Sequence, residues 1–220
     1  VHIISGHTHN NTTMKIRNGL MEHNTGGSCA TWWWTGYYSN GHICKDGAPG
    51  GMGVYEFRDT DLEWYYKGYG EPRDFQLRTY DMNNVKTFFA NNSVIRNMIR
   101  YYPDRNDYAN VGNNVVYINV WGWDPEWKVS VKENGVELNP TRVYMKDPLH
   151  TYAYDATRVY KNSNNTYTEV LTSSNNYHLF AANASSATST LVIEVTDRFG
   201  NKYTETMSRP KEFAAQIENL

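Results

Sequence analysis

The feature that most constrains this chain is its rhythm. Short apolar and aromatic runs recur along it, each closed by Asn, Gly or Asp. Leu191 to Thr196 and Lys202 to Met207 flank a turn, Asp197 to Asn201, that contains Gly200. Trp127 to Glu133 runs into Asn134-Gly135 and returns through Val136 to Leu138, as a tight hairpin would. Gly53 to Arg58, Asp59-Thr60-Asp61 and Leu62 to Tyr69 read as a second hairpin. Asp74 to Tyr80, Val115 to Trp121 and Tyr177 to Ala181 add further strands. Several short strands at this spacing predict a mainly β chain with an immunoglobulin-like β-sandwich. Composition agrees. Eighteen tyrosines, seven tryptophans and seven phenylalanines make up 15 % of the residues. Aromatic side chains favour strands, and Asn and Gly favour the turns between them.

One helix interrupts the pattern. Val85, Phe88, Phe89, Asn92, Ile95 and Ile99 repeat at helical spacing, with Asn83 or Asn84 placed to cap the segment. Ser28 to Thr35 reads as a strand whose alternation buries Trp33 on one face and leaves Trp32 and Trp34 on the other. The Gly70-Glu71-Pro72 step breaks the pattern and is the expected domain boundary. This divides the chain into residues 1–70, 71–210 and a tail, 211–220, that is either a terminal helix or disordered.

Charge and length exclude some classes of function. Twenty-one basic and twenty-three acidic residues leave a net charge of -2, so no long-range field would collect nucleic acid or an anionic membrane. No apolar run approaches the ~20 residues of a membrane span, and no charged-then-apolar leader is visible. Two cysteines, Cys29 and Cys44, are too few for a disulfide framework, and whether they pair stays open.

The residues with the most chemistry lie near the N-terminus. Val1 to Ile4 reads as a buried strand that opens into Ser5-Gly6-His7-Thr8-His9-Asn10. In extended backbone the side chains at i and i+2 point the same way. His7 and His9 are therefore placed to offer two imidazoles to one metal site, or one to each of two neighbouring ions. His23 is a third imidazole nearby; a return-strand histidine bonded to a carbonyl is its structural alternative.

Gly6-His7-Thr8-His9-Asn10 resembles the last metal-ligand motif of the calcineurin-like metallophosphoesterases. Several later stretches resemble the C-terminal region of Bacteroidetes-type members of that family. These are Glu22 to Gly27 running into Ala30 to Gly36, Gly53 to Phe57, Trp64 to Lys67, Ile118 to Trp127, Asp147-Pro148-Leu149 and Val195 to Asn201. The family carries an Asp-x-His, a Gly-Asp-x-x-Asp and a Gly-Asn-His motif before the Gly-His-x-His, and none of these occurs here. The resemblance thus implies the C-terminal part of such an enzyme. Residues 1–70 would be the last strands of the phosphoesterase sandwich, and residues 71–210 an accessory β-sandwich.

It further implies a parent that hydrolyses phosphate esters with two divalent ions, Mn, Fe or Zn, in a periplasmic or extracellular setting. His7 and His9 would be ligands in that parent. In this chain, without the carboxylates, no cofactor and no catalytic residue is expected. Strands left without sheet partners would favour a homodimer. The alternative reading is a non-catalytic module that binds carbohydrate or protein. Its surface would be Trp32, Trp34 and Tyr37, with Trp123 at a rim beside the Asp124-Pro125 turn. Core packing is the structural explanation for the same aromatic residues.

Overall fold

A computed structural model describes residues 1–35, 41–103, 107–161 and 173–214. The described part of the chain is mainly β, with 36 % of its residues in strands. A three-stranded sheet holds β1 (His2–Ser5), β2 (Thr12–Lys15) and β3 (Met21–Asn24) in the order β1-β3-β2. β1 runs parallel to β3, and β2 antiparallel. β4 (Gly51–Arg58) and β5 (Asp61–Gly68) form a hairpin in which Tyr55 pairs with Trp64.

The larger unit is a sandwich of two antiparallel four-stranded sheets. One joins β6 (Leu77–Asp81), β7 (Val115–Val120), β10 (Thr141–Val143) and β11 (Leu179–Asn183) in the order β10-β11-β7-β6. The other joins β8 (Lys128–Glu133), β9 (Val136–Glu137), β12 (Leu191–Thr196) and β13 (Lys202–Met207) in the order β13-β12-β8-β9. Their inner faces follow period-two alternation. Val116, Ile118 and Val120 of β7 meet Leu191, Ile193 and Val195 of β12 in one buried cluster, while Val192 is exposed. Each of these side chains contributes about 1.5–3 kcal/mol by leaving water.

β7 is buried on both faces. Tyr117 turns away from the sandwich interior, into a second core built with helices. α1 (Met82–Asn91) contributes Val85 and Phe89 to it, and α2 (Ser93–Tyr101) contributes Ile95 and Met98. The single helix expected from the spacing is thus two. Asn92, with φ -84° and ψ 110°, leaves the helical region; its side chain accepts from the amides of Val94 and Ile95 and so starts α2. The cap of α1 is Asp81, not Asn83 or Asn84.

Another helical segment escaped the periodicity reading: α3 (Pro148–His150), continuing as a π-helix over Thr151–Lys161. Its start was legible, because Asp147 caps the amide of His150 and Pro148 occupies the first turn. The tail begins without a helix. Phe213 packs against Tyr80, Phe88 and Phe89, and the outcome for residues 215–220 lies outside the described residues.

Two other expectations fail. β1 is exposed rather than buried, with Ile3 at 46 % and Ile4 at 53 %. Ser28 to Thr35 is a succession of turns, not a strand, because Ala30, Trp32 and Trp33 take left-handed φ of 49°, 53° and 59°. The alternation argument therefore does not apply, and Trp33 stands 60 % exposed.

Packing is continuous across residue 70. From Gly41 to Gly50 every residue except His42 and Lys45 is buried, although Ile43 and Pro49 share only a single isolated bridge. A buried loop must satisfy its backbone polar groups internally. Arg78 donates to the Gly47 carbonyl at 2.5 Å, and Asn119 and Asn176 donate to the Asp46 carbonyl at 2.7 and 2.8 Å.

Candidate functional site

Two loops meet at the site. The first follows β1 and carries His7 and His9; the second follows β3 and carries Ala30 to Trp34. Ten described non-glycine residues have positive φ, and five of them are Asn or Asp, which tolerate it. The other five are His7, His9, Ala30, Trp32 and Trp33, all in these two loops. Left-handed backbone at such residues costs roughly 1–3 kcal/mol each and persists only where the surroundings over-determine it.

The surroundings of His9 do so. It is 8 % exposed, its ring lies 3.8 Å from that of Trp32 at an interplanar angle of 10°, and its Nδ1 is hydrogen-bonded to the Ala30 carbonyl. A carbonyl only accepts, so Nδ1 carries a proton, and in the neutral ring the lone pair is on Nε2. This is the tautomer a metal-ligating imidazole needs, fixed by an outer partner in the usual way. His7, with φ 80°, is exposed. The backbone at both histidines is left-handed rather than extended, so the i, i+2 argument for a shared direction does not hold. Among the described residues no group of three or more His, Cys, Asp or Glu side chains is arranged to hold a metal ion.

The loop is clamped from the far side by residues that carried no sequence signal beyond a turn. The Lys45 amide donates to the His9 carbonyl at 3.1 Å. The fully buried Asp46 carboxylate accepts from the Asn11 amide, from Asn11 Nδ2 at 3.2 Å and from the Ala48 amide at 2.9 Å, and it lies 3.1 Å from His178 Nε2. Burial alone would push the Asp46 carboxyl up. The hydrogen bond and charge of His178, with the Asn11 and Ala48 amides, more than offset this and hold it below the ordinary carboxylate range. His178 Nδ1 is 2.7 Å from Asn119 Oδ1, and Asn119 Nδ2 donates to Asp147 Oδ2 at 2.9 Å. Asp147 also accepts from Tyr80 at 2.7 Å, and burial pushes its carboxyl up. A chain of buried polar groups thus runs from the sandwich to the histidine loop.

The second loop is anchored to the helical segment. The Thr31 hydroxyl donates to the Ile43 carbonyl and lies 2.9 Å from His150 Nε2, while His150 Nδ1 lies 2.6 Å from the Ser173 hydroxyl. Full burial lowers the His150 pKa to about 3. Trp34 stacks parallel to Tyr154, at 6.2 Å and 3°.

The aromatic residues expected to form one surface lie in two places. Trp32 and Trp34 sit beside His9, and their rings are 6.0 Å apart. Trp123 lies in a separate groove, under the guanidinium of Arg142 at 4.8 Å. Tyr37 lies outside the described residues. His23 does not join His9. Its Nε2 is 2.8 Å from His2 Nδ1, and it packs edge-on against Trp64 and Tyr55. Its pKa is lowered to about 4, first by burial and then by His2.

The fold is a histidine-bearing loop braced by a β-sandwich. The model of the C terminal of Calcineurin-like phosphoesterase matches residues 22–203, and the chain belongs to that family. Trp32, Asp46, Trp123 and His178 fall inside the matched stretch, and His7 and His9 precede it. No curated protein and no solved structure matches the chain.

Proposed function

We propose that this chain is the C-terminal portion of a periplasmic or extracellular metal-dependent phosphoesterase, and that it supplies His7 and His9 to a dinuclear site while its immunoglobulin-like sandwich braces them. The observation that supports this most is the His9 tautomer, with Nδ1 tied to Ala30 and Nε2 left to bind, in a chain of this family. Two divalent ions of the Mn, Fe or Zn type would there polarise a phosphate ester and lower the pKa of a bridging water. The chain's own part is to hold the imidazoles at one tautomer and one depth. Two neutral imidazoles bring no negative charge and too few donors for two ions, so turnover requires further ligands, carboxylates above all. The apolar residues exposed on the small sheet, Ile3 (46 %), Ile4 (53 %) and Met14 (43 %), would face the remaining phosphoesterase strands; in isolation they would pair two copies.

In the protein carrying the whole phosphoesterase domain, His9→Ala is expected to lower bound metal and to cut hydrolysis of p-nitrophenyl phosphate by roughly 100-fold. Unchanged metal content and rate would refute the assignment. The chain alone, loaded with Mn²⁺ or Zn²⁺, is expected to show no turnover of the same ester. The exposed Trp33 beside this site also keeps the binding-module reading open to test. Saturable binding of a soluble glycan, lost in Trp33→Ala, would establish it.

A further inference from the structure

A groove of about 240 Å³ lies between β2 and the sandwich, apart from the histidine loop's stacked aromatics. That is below the roughly 300–1,000 Å³ of drug-sized sites, so it has room for a single ring. Its lining is chemically one-sided. Trp123 and Tyr177 supply aromatic faces, Thr12 and Thr13 supply hydroxyls, and Lys15 and Arg142 supply positive charge. Among the described residues no carboxylate lines it, and neither Lys15 nor Arg142 has a carboxylate partner. In a chain of net charge -2, two such cations at one groove are a local reversal of sign.

The walls are held in place. Arg142 lies over the Trp123 indole at 4.8 Å, and the Phe180 ring stands at 68° to that indole with its centroid 5.6 Å away. Tyr177, 42 % exposed, is packed edge-on against Tyr144 at 4.7 Å. The floor is the buried His178, pinned between Asn119 and Asp46. The exposed Tyr177 ring suits the apolar face of a pyranose ring, threonine hydroxyls suit its hydroxyls, and the planar guanidinium on Trp123 suits a carboxylate or phosphate.

We propose that this groove binds a monosaccharide unit carrying an anionic group, a uronate or a sugar phosphate, independently of the metal site. The test is titration of the purified chain with glucuronate, glucose 6-phosphate, glucose and inorganic phosphate. The readout is the indole Nε1–H resonance of Trp123, assigned with Trp123→Phe. The expected result is saturable shifts with one or both anionic sugars, at least about tenfold weaker binding of glucose and of phosphate alone, and about tenfold loss of anionic-sugar affinity in Arg142→Gln. The stronger of the two anionic sugars identifies the anion. Absence of saturable binding by both, equal binding of free phosphate, or an Arg142→Gln variant that binds like the parent would each overturn the proposal.

Discussion

Replacing Asp46 by alanine separates the histidine loop from the sandwich that braces it. The carboxylate has four partners: Asn11 N, Asn11 Nδ2, Ala48 N and His178 Nε2. Hydrogen bonds to a charged group are worth about 1.5–3 kcal/mol each, a gross sum of roughly 6–12 kcal/mol. The losses do not add, because the loop relaxes and water enters the space. Removing one partner of a buried charged pair typically costs about 3–5 kcal/mol, and about 4 kcal/mol is the expected loss here. For a chain of this size that lowers Tm by about 8–16 °C, against a total stability on the order of 5–15 kcal/mol. Asp46→Asn keeps the shape and one oxygen acceptor and should lose about half as much. Thermal unfolding followed by circular dichroism measures the global effect. Long-range ¹H–¹⁵N correlation of the His9 ring measures the local one, with the Nδ1–H signature giving way to a mixture of tautomers. A folded Asp46→Ala protein within about 1 kcal/mol of the parent and with an unchanged His9 ring would refute the clamp.

Three further outcomes follow from the same geometry. Gly47 has φ 83°, and a Cβ there would meet the Asp147 carboxylate at 2.1–2.6 Å. Gly47→Ala should therefore cost about 2–5 kcal/mol in denaturant unfolding, left-handed strain and overpacking together. Asp124 is fully buried and takes a two-pronged hydrogen bond from Arg198, at 2.7 and 2.8 Å, while Arg198 also lies over Trp64 at 4.8 Å. Asp124→Ala should cost about 3–5 kcal/mol, and Arg198→Lys should recover only part of the pairing because an ammonium cannot span both oxygens.

Acid should weaken the fold through its buried histidines as pH falls below about 6.5. Burial lowers the pKa of His150 to about 3, and burial with His2 lowers that of His23 to about 4. A histidine kept neutral in the fold contributes fully above the ordinary value near 6.5, and its contribution is lost as pH falls, because the unfolded chain binds the proton first. Between pH 6 and 4, His150 alone gives a slope of about 1.4 kcal/mol per pH unit, with a smaller, solvent-screened share from His23. Asp147, held high, opposes this loss above about pH 4, and Asp46, held low, adds to it below about pH 4. Denaturant midpoints that stay flat from pH 7 to 4.5 would contradict this account.

The β architecture could be read before any coordinates, because strand alternation and turn chemistry are local. β12 and β13 run over the residues expected of them, and Gly200, at φ 86°, makes the turn between them. The helical stretch was visible from its apolar spacing, and its break at Asn92 was not, since an asparagine at a helical position becomes a cap only when its side chain turns to the next helix. The tryptophan loop misled for a related reason. Three consecutive aromatics look like a strand, but the His9 ring against Trp32 and the Thr31 anchor hold Ala30, Trp32 and Trp33 in backbone that alternation does not describe.

The two histidines are a matter of local motif, legible from residues close together in the chain. What holds them was not legible. Asp46 meets His178 across a separation of 132 residues, and Thr31 meets His150 across 119. An Asp-Gly pair reads as a surface turn, and only packing shows that this one is buried and bound to the loop beside His9. Sequence by itself determined that two imidazoles stand two residues apart, after a short apolar run. Tertiary structure decided that one imidazole is buried in a fixed tautomer and the other exposed, because hydrogen-bond partners distant in sequence are chosen by the packing of the whole chain.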